Sequence, residues 1–203
     1  MQRFGDSEKY WRARNINWND AYFNPRHPHR ILILREMMRF NFKSVFEIGC
    51  GAGANLVNIY NVFKGAEIGG TDINEQAIET ARKNLPYAKD LEVGTADDIF
   101  FSDKSIDVII TDATLLYVNP FKIKKVVKEM ARVARNGIVL CEPFRYKAWQ
   151  RWYLWWAEGL FLHNYPKLLK RAGFYDIKML KITKEFWPDS LWYVAGYIIS
   201  AKI

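Results

Sequence analysis

Cysteine is scarce in this 203-residue chain: there are two, Cys50 and Cys141, and neither stands at metal-ligand spacing from another candidate donor. A bound metal is not expected from them, and Cys50 reads as a small turn residue. Long apolar runs are missing as well. No stretch approaches the ~20 residues needed to cross a bilayer, so a transmembrane helix is not expected. No linker rich in Gly, Ser or Pro and no internal repeat divides the chain, and half of its residues are hydrophobic. That is enough for one layered α/β core. The opening Met1-Gln2-Arg3-Phe4-Gly5-Asp6 is too polar for a signal peptide, and a cytoplasmic location is the default expectation.

What the chain does contain is a concentrated glycine signal. In Val45-Phe46-Glu47-Ile48-Gly49-Cys50-Gly51-Ala52-Gly53-Ala54, three glycines alternate directly behind a hydrophobic run. The run reads as a buried parallel strand. The glycines permit positive φ and allow a ligand to approach where a Cβ would block it. Asn55-Leu56-Val57 then begins a helix whose N-terminus faces that ligand. A dinucleotide fingerprint would be G-x-G-x-x-G; here the spacing is Gly49-x-Gly51-x-Gly53, two residues after Glu47. A carboxylate at that place suits a cationic amino group better than a pyrophosphate.

This pattern resembles motif I of the class I S-adenosylmethionine (SAM) dependent methyltransferases, E/D-x-G-x-G-x-G. The resemblance implies that Glu47, Gly49, Cys50, Gly51 and Gly53 surround the methionine and ribose moieties of SAM. Residues 66 to 72 read as a second strand ending in Asp72, 19 residues beyond Gly53. An acid at that tip can accept both ribose hydroxyls, and in the family it is motif II, with Ile73 against the adenine face. Asn74 supplies the N-cap for a helix from Glu75 to Leu85. The segment Leu91 to Asp98 resembles the family's G-D-A-x-x-L loop at the adenine edge. It departs from the pattern in having Thr95 before Ala96, which moves the adenine contact to the backbone near Ala96 or to Asp97. Ser105 to Asp112 gives a fourth strand around the apolar run Val108-Ile109-Ile110, and its end, Thr111-Asp112, is expected beside the sulfonium. Leu116 and Tyr117 follow in the next loop, near the cofactor.

Residues 120 to 135 read as a helix ended by Asn136-Gly137, and Ile138 to Pro143 as the fifth strand. A helix from Asn164 to Ala172 and two closing strands, Phe174 to Thr183 and Leu191 to Lys202, complete the pattern. Alternating strands and helices imply a parallel sheet. The expected fold is a doubly wound, Rossmann-like α/β sheet of seven mostly parallel strands, with helices on both faces and an antiparallel last strand. Residues 1–43 are expected to form a helical cap, and residues 44–203 the methyltransferase domain with an aromatic lid at about 144–163.

Charge divides the chain: residues 1–43 carry net +5, residues 44–119 net −7 and residues 120–203 net +10. The basic flanks suit an anionic substrate, or Lys122, Lys124, Lys125 and Lys128 simply coat one solvated helix. Arg30 either pairs with the SAM carboxylate or is a surface cation, and His27 and His29 around Pro28 read as turn residues. The tryptophan-rich segment 144–165 admits three readings: a lid over a bulky or sugar-like substrate, a membrane-surface helix, or plain core.

Methyl transfer is an in-line displacement governed by alignment, and a base is needed only for a weakly acidic hydroxyl or a protonated amine. His163 is the first candidate base, with Asp112 and Tyr117 as further catalytic candidates. Asp112 and Glu142 together could hold a divalent ion, although the family's metal-dependent branch has Asp-Asn where this chain has Glu142-Pro143. The expected activity is transfer of a methyl group from SAM, leaving S-adenosylhomocysteine, to an oxygen or nitrogen of a small, anionic or sugar-linked metabolite. Two alternatives stand beside it: a nucleic-acid methyltransferase, disfavoured because Thr111-Asp112-Ala113-Thr114 is not an N-P-P-Y motif, and a noncatalytic SAM-binding or membrane-surface protein. The oligomeric state is left open.

Overall fold

Strands β1 (Ser44–Ile48), β2 (Glu67–Asp72), β3 (Asp90–Val93), β4 (Ile106–Asp112), β5 (Ala134–Pro143), β6 (Tyr175–Lys181) and β7 (Gly196–Lys202) pair into one sheet of order β3-β2-β1-β4-β5-β7-β6. These ranges come from a computed structural model that describes residues 7–145 and 160–203. The first five strands run parallel, while β7 lies antiparallel between β5 and β6. Strand order reverses between β1 and β4, so their carboxyl ends open a crevice, as in other doubly wound sheets.

Successive side chains of the central strands point to opposite faces of the sheet, and nearly all of them are buried. Val45, Val108 and Ile110 belong to one core with Leu32, Ile33, Leu56, Ile59 and Ile78 from helices α3 (Arg30–Met37), α4 (Ala54–Val62) and α5 (Glu75–Asn84). Phe46, Ile48 and Ile109 face a second core with Val126, Val127 and Met130 of α6 (Ile123–Val133) and Leu169 of α7 (Tyr165–Arg171). Both faces of the sheet are therefore covered. On α6 the apolar residues 123, 126, 127, 130 and 133 are buried, whereas Lys124, Lys125 and Lys128 are exposed. These lysines form the solvated side of an amphipathic helix.

Two boundaries differ from the sequence expectation. Asn136-Gly137 does not end a helix: α6 passes at Ala134 directly into β5, and Gly137 pairs within the ladder. A glycine is required there because a Cβ would lie 2.2 Å from the Ala201 carbonyl oxygen and 2.4 Å from the Phe40 ring. The second difference is at 191–195, expected as strand but found as helix α8 (Ser190–Ala195). Asp189 caps it through a 2.9 Å bond from the Leu191 N–H, a local cap that outweighs the strand preference of Trp192, Tyr193 and Val194.

Upstream of β1, helices α1 (Ser7–Ala13) and α2 (Trp18–Tyr22) precede α3. Asn74 ties this segment to the sheet: its side chain caps α5 and donates to the carbonyls of Trp11 and Arg14, each at 2.8 Å. The expected lid at 144–163 lies largely outside the described residues, since 146–159 are not among them.

Candidate functional site

The carboxyl ends of β1, β2 and β4, together with residues from the first 30 positions, enclose a cavity of about 450 Å³. That is within the ~300–1,000 Å³ typical of small-molecule sites. The glycine turn forms its floor. Gly49, Gly51 and Gly53 all have positive φ, at 73°, 51° and 86°, and the N–H groups of Gly49 and Cys50 both donate to the Thr71 carbonyl. Gly49 and Gly51 line the cavity. Gly53 instead packs against α5, where a Cβ would meet Leu85 at 2.4 Å. Cys50 also lines the cavity, but its buried side chain rests against Gly70 of β2 and burial pushes its thiol well above the ordinary range. A thiol so held is not a nucleophile.

Asp72, at the tip of β2, accepts from the Gly51 N–H at 3.0 Å and the Asn74 N–H at 2.9 Å. It thereby joins the glycine turn to the start of α5 while lining the cavity with Ile73. Ala96 and Asp97 complete that wall, and Asp97 pairs with Lys125 at 3.2 Å.

A network of carboxylates lies on the opposite side. Glu47 is 2% exposed; its Oε1 accepts from Asn55 at 2.6 Å, and its buried Oε2 has no partner. Desolvation raises its pKa to about 8, so the carboxyl is protonated at neutral pH in the free protein. Asp112 behaves oppositely. Burial alone would raise its pKa, but His29 and Arg30, each at 2.9 Å, and Asn55 at 3.0 Å hold it well below the usual range. Two acids in one cavity are thus driven to different protonation states. His29, Asp112 and Cys141 bring donor atoms within 4.8 Å of one another. The Arg30 guanidinium on the same Asp112 oxygen opposes a second cation there.

The remaining candidates separate by placement. Arg30 lines the cavity, but its guanidinium is engaged by Asp112, and its Nε donates to the Asn24 carbonyl at 2.9 Å. Tyr117 lines the cavity, its ring 4.9 Å from that of Trp11. Burial lifts its phenol to about 12, so it cannot serve as a phenolate base near neutral pH. Thr111 and Leu116 are buried outside the cavity wall. The Thr111 hydroxyl donates to Glu142 at 2.9 Å, and that carboxylate also accepts the N–H groups of Thr114, Leu115 and Leu116. Glu142, raised to about 7 by burial, caps the turn Leu115–Tyr117, so its oxygens are committed and it does not share an ion with Asp112. His163 is also outside the wall. Its buried Nε2 faces the carbonyls of Leu115 and Val118 at 3.1 and 3.0 Å, which fixes an N–H at that nitrogen.

Trp11 and Trp18 belong to the N-terminal segment expected as a cap, His27 and His29 read as turn residues, and Asn55 and Trp187 are not expected as site residues; all six line the cavity. The signal for the histidines was their placement on either side of Pro28 just before α3. His27 and His29 are expected as turn residues, yet the turn carries them to the sheet's carboxyl edge, where His29 meets Asp112.

Comparison with known proteins agrees with this architecture. Residues 45–137 match the family model described as a methyltransferase domain. Over 107 residues the chain is 29% identical to a carboxy-S-adenosyl-L-methionine synthase of Campylobacter fetus, covering 52% of this chain and 45% of that protein. Over 97 residues it is 31% identical to a fatty-acid O-methyltransferase of Mycolicibacterium smegmatis, covering 47% and 34%. The chain thus spans less than half the length of these curated relatives. Among solved structures, a geranyl diphosphate C-methyltransferase of Streptomyces coelicolor, crystallised with Mg2+, geranyl-S-thiolodiphosphate and S-adenosyl-L-homocysteine, superimposes with a TM-score of 0.72. The two share 13% identity, and the match covers 97% of this chain and 96% of that one. The methyltransferase-domain match covers residues 45–137, less than half of the chain, and the fold around it is that of the S. coelicolor methyltransferase structure.

Proposed function

We propose that the protein transfers the methyl group of SAM to an oxygen or nitrogen of a small molecule. The observation that carries this reading is one cavity in which the glycine turn, Asp72 and the Ala96 loop face the histidines and aromatic rings of the N-terminal segment. In this reading Gly49 to Gly51 lie under the methionine and ribose, Asp72 accepts the ribose hydroxyls, and Ile73, Ala96 and Asp97 border the adenine. The unpartnered Glu47 Oε2 and Asp112 Oδ1 face the positively charged end of the donor. The protein's contribution to rate is alignment of donor and acceptor within that cavity.

The two cations of the wall, Arg30 and Lys122, are engaged by Asp112 and by Glu8. The described wall therefore supports a neutral or cationic acceptor better than an anionic one. It also gives no basic track for a polynucleotide. Labelled SAM incubated with fractionated metabolite pools tests this reading: methyl label entering a small-molecule fraction supports it, and label entering only RNA or DNA contradicts it.

A further inference from the structure

We propose that His27 is the general base of the reaction, passing the acceptor's proton through His29 toward Asp112. This rests on the methyltransferase reading and deepens it, because a base of this kind selects an acceptor that must lose a proton: a hydroxyl or a protonated amine.

The geometry gives each nitrogen a role. His29 is 2% exposed, and its Nε2 lies 2.9 Å from Asp112 Oδ2. An ionised carboxylate only accepts, so His29 Nε2 carries the hydrogen and its Nδ1 holds the lone pair. That Nδ1 is in close contact with Nδ1 of His27. One of two touching nitrogens must donate, and His29 has already placed its hydrogen elsewhere. His27 therefore carries its hydrogen on Nδ1, and its Nε2 is left with a lone pair. His27 is part of the cavity wall, so the free lone pair belongs to the ring that meets the substrate space. Trp187 fixes both rings, its centroid 4.1 Å from His29 and 5.0 Å from His27, and is itself stacked on Trp192 at 3.9 Å.

The step balances as follows. The acceptor lone pair forms the bond to the methyl carbon, and the sulfur–methyl bond breaks with its electron pair remaining on sulfur, giving the neutral thioether. The acceptor's proton moves to His27 Nε2, and the His27 Nδ1 proton passes to His29 Nδ1. The positive charge that began on the sulfonium ends on an imidazolium ion-paired with Asp112. Burial, with the Arg30 guanidinium nearby, lowers the basicity of His27, which keeps it unprotonated and ready at neutral pH. The charged and titratable groups around the pair are Asp112 on β4, Arg30 on α3 and Cys141 on β5.

Two measurements on the full chain test the relay. The chain has only three histidines, so long-range proton–nitrogen correlation spectra of the wild type and single-histidine variants assign each ring. The relay requires hydrogen on Nδ1 of His27 and on Nε2 of His29; hydrogen on Nε2 of His27 overturns it. The second uses the metabolite fraction that the wild type methylates with labelled SAM. His27→Ala is expected to bind S-adenosylhomocysteine within about twofold of wild type and to transfer methyl about 100-fold more slowly. Added imidazole is expected to restore much of the rate. Transfer within a few-fold of wild type, or a loss that imidazole does not restore, overturns the relay. A wild type that binds S-adenosylhomocysteine but methylates no fraction counts against the function proposed above, and the tautomer spectra still decide the relay.

Discussion

Glu47 and Asp112 show how single residues divide the work of the cavity. Both are buried carboxyls within reach of Asn55, yet the one without a cation is held neutral and the one facing His29 and Arg30 is held ionised. The sign of the pH effect follows from linkage. In the unfolded chain Glu47 loses its proton near pH 4.5, whereas in the fold it keeps it to about 8. Between those values the unfolded state binds fewer protons, so Glu47 makes stability fall as pH rises. Glu47→Gln, which imitates the protonated acid, is predicted to flatten that decline by a few kcal/mol, as read by urea unfolding at a series of pH values. An unchanged slope would mean that Glu47 is already ionised in the free protein. Asp72 acts by geometry instead: Asp72→Ala removes both the acceptor for the Gly51 N–H and the proposed ribose contact. It is predicted to weaken S-adenosylhomocysteine binding at least tenfold, since hydrogen bonds to a charged group contribute about 1.5–3 kcal/mol. Unaltered affinity in calorimetry would remove Asp72 from the site.

At the scale of elements, strand ends and the short turns behind them position the chemistry. The turn Leu115–Tyr117 is held by Glu142, two strands' width from the glycine turn, which accepts the N–H groups of Thr114, Leu115 and Leu116. Glu142→Ala leaves those donors buried without a partner, and a loss of about 3 kcal/mol or more is expected in chemical denaturation. Gly137→Ala is likewise predicted to lower the melting temperature, because the new methyl meets the Ala201 carbonyl and the Phe40 ring. A melting temperature unchanged in Gly137→Ala would show that β5 and β7 can part at little cost. These same elements show what could be read in advance. The glycine turn, Asp72 and the apolar β4 were legible because their signals are local: positive φ, a strand tip, an uninterrupted buried run. The role of Gly137 was not legible, since it depends on Phe40 and Ala201, distant in sequence. The His29–Asp112 contact joins positions 83 residues apart, so neither histidine could be told from a turn residue by its neighbours.

Across the whole molecule, the charge divide of the sequence has a structural meaning other than the simplest one. The acidic middle of the chain supplies four of the cavity carboxyls, Glu47, Asp72, Asp97 and Asp112, while many basic side chains lie on solvated faces such as that of α6 or are spent in ion pairs. A cavity rich in carboxyls and lined by aromatic rings suits a donor that carries a sulfonium and an ammonium. Among the described residues no helix is long and apolar enough to cross a membrane. The measurement that bears most directly on the central claim is titration of the folded chain with SAM and with S-adenosylhomocysteine by calorimetry near pH 7. Repeating it in buffers of different ionisation enthalpy counts the protons exchanged. The account predicts one saturable site for each ligand, with a proton released on SAM binding as the positive donor displaces hydrogen from Glu47. A folded chain that gives no binding heat with either ligand would contradict it.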